Sequence, residues 1–261
     1  MTSGRHPARY SAGVIAETAN LLDEAEQKAL LNRVNPDIIV HLSWSLDGPS
    51  FLESEKNIQW LEASFSLLRA FQGECFAFAG SSAEYGEGAG CKETDTCHPT
   101  SLYGECKLAF ERVAAPYCKS KGIRFVGMRF FSVYGAGDHR LGRALPTAIK
   151  AFQKSEPFIC TGPNNTWDYI YNEDIGRAVT SIIYSNYIGT VNVSSGTPTS
   201  MKEVFTTLSR LMGAEELLSF ENENKAGSML FGENRILREI IGFTDFTPLE
   251  VGLKKTIANW K

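Results

Sequence analysis

A chain of 261 residues with 43% hydrophobic and 21% charged residues is long enough for one sizeable core and has the composition of an average globular protein. Its formal net charge of −4 gives no electrostatic basis for binding nucleic acid or an anionic membrane surface. No apolar run approaches the roughly 20 residues that cross a bilayer, and the polar N-terminal stretch has no signal-peptide core, so we expect a cytoplasmic protein.

The six cysteines form no C-x-x-C pair, and the sequence has only four histidines. Cys97 and His98 are the only adjacent Cys/His pair, so we expect no metal site of ordinary spacing. A chain of this size does not depend on disulfides for a stable core. We therefore expect the cysteines to be reduced thiols.

The first half of the chain alternates helices with buried strands. Apolar residues at helical spacing predict a helix over 23–34, which Asn35-Pro36 ends. Further helices are predicted over about 54–71 and 103–121, the last ended by Gly122. Continuous apolar runs predict buried strands in DIIVHLSW (37–44) and CFAFAGSS (75–82), and a third strand that runs into a loop in RFVGMRFFSVYG (124–135). This alternation is typical of a parallel sheet with right-handed crossovers.

After Gly137 the pattern loosens into shorter elements. Helices are predicted near 144–154, 174–185, 200–211 and 249–260, and strands in PFICTG, WDYIYN and TVNVS. We therefore predict an α/β fold with two parts. Residues 1–137 form a Rossmann-like parallel sheet and residues 138–261 a smaller mixed α/β lobe, with exchange of strands between the two lobes left open.

Tyr103 and Lys107 stand four residues apart in SLYGECKLAFE, so on a helix their side chains share one face. A lysine ammonium beside a tyrosine hydroxyl stabilises the phenolate, which lets the phenol act as an acid or base near neutral pH. Such pairs are also common on solvated helix faces. The pair alone therefore leaves both interpretations open.

Ser81 and Ser82 stand at the carboxyl end of the predicted strand CFAFAGSS, where ligands bind in open α/β sheets. A serine hydroxyl at that place can donate to a substrate oxygen and pass a proton to a tyrosine. The same side chains also suit the capping of a turn, which is the alternative interpretation.

These features belong to an ordered series of segments over about residues 19–260. The series runs through DIIVHLSW, Asn57, FAGSSAEYG, TSLYGECK, MRFFSVYGAGD, WDYIYNEDIGRAV, NVSSGTPTSMKEV and FTPLEVGLKKTIANW. It resembles the extended short-chain dehydrogenase/reductase family, and within it the NAD-dependent sugar epimerase/dehydratase group. The resemblance implies that the second lobe is a substrate lobe for a nucleotide-diphosphate sugar. It also implies hydride transfer between a sugar carbon and bound NAD or NADP, and a homodimer formed by the helices that carry Asn57 and Tyr103.

The resemblance assigns roles to positions of this sequence. It makes Ser81 the group that orients the substrate carbonyl, Tyr103 the acid/base, and Lys107 the residue that lowers the pKa of Tyr103 and holds the nicotinamide ribose. Besides Tyr103 and Lys107, the implied cofactor contacts are Asn20 and Leu21 at the adenine, and Leu42, Ser43, Asn57 and Val133 along the rest of the dinucleotide. The implied substrate contacts are Ser82, Glu84, Ser132, Arg143 and Trp167.

This sequence departs from the family pattern at several places. The family usually has Asn at the position of Ser132 and commonly Arg at the position of Trp167, where the guanidinium grips the diphosphate. A tryptophan can instead stack on a base or a sugar face. The Asp-Glu pair of the family's 4,6-dehydratases is replaced by Ser82 and Ala83, so we do not expect elimination of water.

The family also begins with a strand, a G-x-x-G-x-x-G turn, a helix and a second strand, and this sequence begins after their counterparts. We therefore expect an N-terminally truncated sheet, in which GVIAETA (13–19) matches the family's third strand. Either this segment shifts inward to pair with the strand at 38–42, or another chain supplies the edge, or the sequence is a shortened version of a longer protein. We favour the inward shift, because Val14 and Ile15 are apolar enough to be covered.

Three functions are consistent with these features. The first is a nucleotide-sugar ketoreductase or epimerase that uses NAD(P). The second is an acid–base enzyme, an isomerase, lyase or cyclase, that uses Ser81, Tyr103 and Lys107 without a cofactor. The third is a non-catalytic relative that binds a partner chain through an exposed sheet edge, which ranks last because the three catalytic residues are present. We expect a small-molecule substrate and no nucleic-acid or membrane partner.

Overall fold

The computed structural model describes residues 13–48, 50–138 and 142–260. The strands are β1 (Ile38–His41), β2 (Cys75–Ser81), β3 (Gly88–Cys91), β4 (Arg124–Phe130), β5 (Ser132–Tyr134), β6 (Phe158–Cys160), β7 (Thr166–Tyr171), β8 (Gly189–Val193), β9 (Pro198–Ser200), β10 (Leu218–Phe220) and β11 (Met229–Gly232). The α-helices are α1 (Glu24–Val34), α2 (Lys56–Ala70), α3 (Leu102–Lys121), α4 (Ala144–Gln153), α5 (Asn172–Tyr184), α6 (Met201–Met212) and α7 (Leu249–Ala258). The alternation of helices and strands is that of the predicted α/β fold.

The chain folds into two compact units. The first comprises the residues up to Gly80 together with Thr100–Gly127, and the second comprises Ser81–Pro99 together with the residues from Met128 onward. The division falls within β2 and β4. The sequence had placed residues 81–99 and 128–137 in the first domain, whereas here they lie in the second unit, where β3 pairs with β11.

In the first unit, β1 and β2 are parallel, with Ile38 opposite Cys75 and His41 opposite Phe78, and β4 is the other neighbour of β2. Six consecutive residues of β2, from Cys75 on, are buried, as expected for a parallel strand covered on both faces. The core of this unit consists of Leu31, Leu67, Leu68, Phe71, Phe76, Phe78, Phe110, Ala114, Cys118 and Phe125. The Rossmann-like parallel arrangement predicted for this part of the chain is confirmed.

Caps fix the helix that carries Tyr103 and Lys107. The Ser101 hydroxyl accepts a hydrogen bond from the backbone N–H of Gly104 at 3.1 Å, which satisfies a donor that the first turn of α3 would otherwise leave unpaired. At the other end Gly122 takes the left-handed conformation, with φ of 70°, that a glycine adopts without strain. Tyr103 therefore lies in the first turn of α3 and Lys107 in the second.

The segment GVIAETA does not complete the sheet. Among the described residues β1 pairs with β2 alone, and residues 14–20 form no strand. Val14 is 45% and Ile15 76% exposed, so neither is covered. The expected inward shift of this segment is therefore wrong. An ion pair connects the segment to α1 instead, since the Glu17 carboxylate lies 2.7 Å from the Arg33 guanidinium.

The second unit contains a mixed sheet in the order β3-β11-β7-β5, with β9 also paired to β7. The β7–β9 pair is antiparallel and the other pairs are parallel. RFVGMRFFSVYG, predicted as a strand running into a loop, forms two strands, β4 and β5, and β5 pairs with β7. A hydrophobic core of this unit consists of Tyr134, Ala148, Ile149, Phe152, Cys160, Tyr171, Phe205, Leu208, Ala214 and Leu253.

Two further findings concern the parts of the chain that the structure describes. No helix there is both long and apolar enough to cross a membrane. All six cysteines are buried, and none of them forms a disulfide.

Candidate active site

Tyr103 and Lys107 form a partly buried pair on α3. The Lys107 side chain is only 2% exposed, and its ammonium lies 5.7 Å from the centre of the Tyr103 ring. The ammonium donates a hydrogen bond to the carbonyl oxygen of Ala79 at 2.7 Å. Ala79 belongs to β2, so the pair lies near the carboxyl end of this strand and not on a solvated helix face.

Aromatic rings surround the Lys107 ammonium. Its nitrogen lies 3.9 Å from the centre of the Trp44 ring and 4.7 Å from that of Phe78. Tyr103 meets Trp44 and Phe51 edge-to-face, with ring centres 6.3 and 5.5 Å apart. A cation on an aromatic face is stabilised by the ring quadrupole, and most strongly on tryptophan. The rings therefore provide contacts that stabilise an ammonium group in a place that water hardly reaches.

Asn57, predicted to contact a cofactor, holds Trp44 in place. Its side-chain oxygen accepts a hydrogen bond from the indole N–H of Trp44 at 2.8 Å. Its amide nitrogen donates to the carbonyls of Phe51 and Ser54 at 2.7 and 2.9 Å. Two of the predicted cofactor residues, Asn57 and Lys107, are thus joined through the indole ring of Trp44.

The other predicted cofactor residues of the first unit lie in two loops. Asn20 and Leu21 precede α1, where the backbone N–H of Asn20 donates to Glu26 and the carbonyl of Leu21 accepts from Gln27. Leu42 and Ser43 follow β1 directly and lead into Trp44. The structure therefore places Ser43 next to the Trp44–Lys107 cluster along the chain.

Ser81 and Glu84 form a reciprocal cap at the turn that follows β2. The Ser81 hydroxyl accepts from the backbone N–H of Ala83 at 3.2 Å, and the backbone N–H of Ser81 donates to the Glu84 carboxylate at 2.8 Å. This is the capping interpretation of the serines. A hydroxyl that accepts a hydrogen bond keeps its own proton to donate, so the cap leaves Ser81 able to bind a substrate oxygen. Ser82, next along the chain, is half-buried.

Glu84 is fully buried and forms an ion pair with Arg129 at 2.8 Å, with Arg129 also nearly inaccessible. Arg129 donates in addition to the hydroxyl of Tyr85 at 2.9 Å, and that hydroxyl donates to Asn192 at 2.8 Å. The sequence analysis missed this network. Its signal is Arg129, the single charged residue in the apolar run FVGMRFF, because a buried arginine requires an anionic partner.

Four predicted residues come together around a cavity of about 180 Å³ in the second unit. Ser132, Val133, Arg143 and Trp167 all line it, together with Tyr169. The Arg143 guanidinium donates to the carbonyl of Val133 at 2.9 Å and pairs with Asp138. Burial raises the pKa of the Tyr169 hydroxyl, so it stays protonated. We call this cavity the Trp167 pocket.

Several other residues that line the Trp167 pocket were not predicted, among them Asp138, Tyr169 and Trp260. Tyr169 could have been found, because alternate residues of a strand point to the same side and Trp167 was already named. Asp138 and Trp260 lie in a loop and beyond the last helix, where periodicity carries no signal.

The parallel α/β arrangement, with a partly buried Tyr–Lys pair near the carboxyl end of β2, defines a Rossmann-like protein. Residues 2–193 match the model of the NAD dependent epimerase/dehydratase family. The chain belongs to this family. It is an enzyme of the NAD-dependent epimerase type.

Relatives and solved structures agree with this assignment. The chain is 28% identical over 253 residues to a Bacillus subtilis (strain 168) protein named uncharacterized UDP-glucose epimerase YtcB, covering 92% of this chain and 78% of that protein. It is similar in fold to UDP-glucose 4-epimerase from Thermotoga maritima, solved with UDP-glucose, with a TM-score of 0.86 at 19% identity over 96% of this chain and 85% of that one. A UDP-glucose 4-epimerase from Thermus thermophilus, solved with NAD, gives a TM-score of 0.83 at 21% identity over 96% and 86%.

Proposed function

We propose that this chain is a nucleotide-sugar epimerase or ketoreductase whose acid/base is Tyr103. The observation that carries the proposal is the buried Lys107 ammonium beside Tyr103. A positive charge close to a phenol in surroundings of low polarity favours the phenolate, which makes proton exchange with a sugar hydroxyl practicable near neutral pH. The UDP-glucose epimerases among the relatives support the substrate class.

Lys107 is held in place before any substrate arrives. Its hydrogen bond to Ala79 and its contact with Trp44 fix the ammonium at the second turn of α3. A group held in advance by its surroundings stabilises charge without reorganising during the reaction. Lys107 therefore acts on the Tyr103 proton, and the Ser81 hydroxyl is proposed to orient the substrate oxygen to which that proton goes.

A nicotinamide dinucleotide, NAD or NADP, supplies hydride transfer when bound. The chemistry of the donor set fits it, because the Lys107 ammonium, the Tyr103 hydroxyl and the Ser43 hydroxyl are suitable partners for ribose oxygens. These residues, with Asn57, belong to the segments that follow the carboxyl ends of β1 and β2 or to the helices beside them. Trp44 is the group that a ribose at Lys107 has to displace, since its ring lies 3.9 Å from the ammonium.

Glu84 supports Ser81 rather than the substrate in this proposal. Its two carboxylate oxygens accept from the Ser81 backbone and from Arg129, and the side chain is fully buried. A substrate group would have to displace Arg129 to reach it. The pair therefore holds the turn on which Ser81 and Ser82 stand.

A second function is favoured by the position of Trp44. The indole covers Lys107 and occupies the acceptor of Asn57, yet leaves the acid–base character of Tyr103 intact. A cofactor-independent isomerase, lyase or cyclase would use this arrangement as it stands. Dependence of turnover on added NAD(P) separates the two functions.

A homodimer through α2 and α3 remains a proposal. Of the apolar residues on these helices, Leu68, Leu108 and Phe110 belong to the core. Ile58 and Val113 are 45% and 53% exposed and supply the apolar surface that a partner would cover. Light scattering of the wild type and of a Val113→Glu variant measures the oligomeric state directly.

The proposed function is tested with UDP-glucose, NAD and NADP, following interconversion of the sugar by NMR. Tyr103→Phe, which keeps the ring and removes the hydroxyl, is expected to lower kcat at least a hundredfold, as loss of a general acid–base group typically does. Tyr117→Phe on the same helix is the matched control and should retain activity. Undiminished turnover by Tyr103→Phe would exclude the proposed role of this phenol.

A further inference from the structure

Trp44 occupies the end of the first unit's sheet at which ligands bind. It follows β1 by three residues, and ligands of parallel sheets bind beyond the carboxyl ends of the strands. Its ring centre lies 3.9 Å from the Lys107 ammonium, and its N–H donates to Asn57 at 2.8 Å. A side chain of the protein itself therefore makes a charge contact and a hydrogen bond where a ligand would make them.

Asn57 presents a fixed acceptor to the Trp44 indole. Asn57 is 1% exposed, and its amide nitrogen donates to the carbonyls of Phe51 and Ser54 at 2.7 and 2.9 Å. These bonds use both hydrogens of the amide, so the side chain cannot turn over and its oxygen stays directed at Trp44. An indole has a single N–H donor, and Asn57 accepts from it. One hydrogen bond therefore fixes the rotation of the Trp44 ring.

The Trp44 ring is also the movable part of the cover over Lys107. Lys107 is 2% exposed, and both the Trp44 ring and the Phe78 ring lie over its ammonium. Phe78 is fully buried within β2, whereas Trp44 is half-buried and belongs to the segment after β1. Movement of the indole would expose the ammonium, which the carbonyl of Ala79 continues to hold at 2.7 Å.

We infer that Trp44 is a gate over Lys107 and that Asn57 holds this gate closed. The inference rests on the proposed function, because it names how access to that site is controlled. Opening the gate uncovers the Lys107 ammonium and frees the Asn57 oxygen together. A ligand whose hydroxyls accept from the ammonium and donate to the amide oxygen, such as a ribose, replaces the indole at both points. The affinity for that ligand is reduced in proportion to the fraction of molecules whose gate is open.

Amine labelling followed by mass spectrometry tests the gate without cofactor or substrate. Acetic anhydride is the probe, and the exposed Lys121 of α3 is the internal standard. In the wild type, Lys107 should react at least a hundredfold more slowly than Lys121. Asn57→Leu should raise the Lys107 rate at least fivefold, and so should Trp44→Phe, which keeps a ring but lacks the N–H that Asn57 binds.

Trp60→Phe is the matched control for the labelling, because Trp60 stacks on Trp44 with ring centres 6.5 Å apart. It should leave the Lys107 rate unchanged. A wild type whose Lys107 reacts as fast as Lys121, or a folded Trp44→Phe variant whose Lys107 reacts as slowly as in the wild type, would overturn the inference. Trp44→Phe decides the question even where Asn57→Leu does not fold.

A double-mutant cycle shows whether the two residues act as one gate. Trp44→Phe has no N–H for Asn57 to bind, so adding Asn57→Leu to it should change the Lys107 rate less than twofold. Effects that multiply in the double variant would contradict the inference. Failure of the proposed function is distinguishable from failure here. Coupled labelling without any nicotinamide response would remove only the former, and nicotinamide-dependent turnover by a wild type whose Lys107 reacts as fast as Lys121 would remove only the latter.

Discussion

The ammonium of Lys107 lies 3.9 Å from the centre of the Trp44 indole, and the indole N–H is held by Asn57 at 2.8 Å. Three segments of the first unit, the loop after β1, α2 and α3, thus meet at one charged group. The contact holds the cation beside Tyr103, where we propose that its charge stabilises the phenolate. It also means that access to Lys107 depends on Trp44.

Trp44→Ala is expected to increase the affinity for NADH. Displacing the indole from the ammonium costs about 1–2 kcal/mol for a desolvated cation–π contact, so its removal should tighten binding about tenfold. Calorimetric titration of the two forms measures this. Trp60→Ala is the control, because Trp60 stacks on Trp44 with ring centres 6.5 Å apart, whereas the described rings over the ammonium are those of Trp44, Phe78 and Tyr103. Weaker NADH binding by Trp44→Ala would show that the indole supports the cofactor instead.

Stability should fall in acid because of His41. Burial, with a smaller contribution from the charge of Lys107, lowers the pKa of His41 to about 3. The unfolded state therefore binds a proton at His41 more readily than the folded state does. As a result, the free energy of unfolding is highest above the usual pKa of about 6.5 and falls as the pH decreases from 6.5 towards 3. Each pH unit in this range lowers the free energy of unfolding by about 1.4 kcal/mol.

His41→Gln provides the comparison. The glutamine amide can donate to the hydroxyl of Ser64, as His41 does over 2.8 Å, but it does not titrate. Urea unfolding at pH 6.5 and pH 4.5 should show a smaller loss of free energy of unfolding in this variant than in the wild type. His98→Gln, at an exposed position, is the matched control. Equal losses in the wild type and His41→Gln would contradict the assignment.

The buried Glu84–Arg129 pair should be essential to the second unit. Arg129→Met leaves the Glu84 carboxylate buried without its ionic partner, which is expected to cost about 3–5 kcal/mol of stability. Arg235→Met removes the exposed ion pair with Glu239 and should cause no measurable change. Denaturant unfolding of both variants provides the measurement, and equal stabilities would show that the buried pair contributes nothing.

The Glu84→Gln variant tests the charge of residue 84 separately from the hydrogen bond that it makes at the turn. The amide oxygen can still accept from the backbone of Ser81, so the turn should keep its geometry while the ion pair is weakened. We expect a smaller loss of stability than in Arg129→Met and a kcat close to that of the wild type. A large drop in the kcat of Glu84→Gln with an unchanged KM would instead show that Glu84 takes part in the reaction.

Local signals in the sequence predicted much of this structure. The C-terminal end of α3 was predicted from Gly122, and Ser132, Arg143 and Trp167, which the resemblance had named as substrate contacts, line one pocket. The pairing of GVIAETA with β1 was predicted wrongly, because the apolar character of a segment does not show whether it joins the edge of a sheet. The pairing of β3 with β11 and the contact of Trp44 with Lys107 join distant segments, which periodicity cannot reveal.

The most direct test of this account is a calorimetric titration of the wild type and of Lys107→Met with NADH and NADPH. The account predicts that the wild type binds one of them with micromolar affinity and that Lys107→Met binds it at least tenfold more weakly, at unchanged melting temperature. A folded wild type that binds neither, or a Lys107→Met variant that binds as well, would contradict the role of Lys107 in an NAD(P)-dependent reaction.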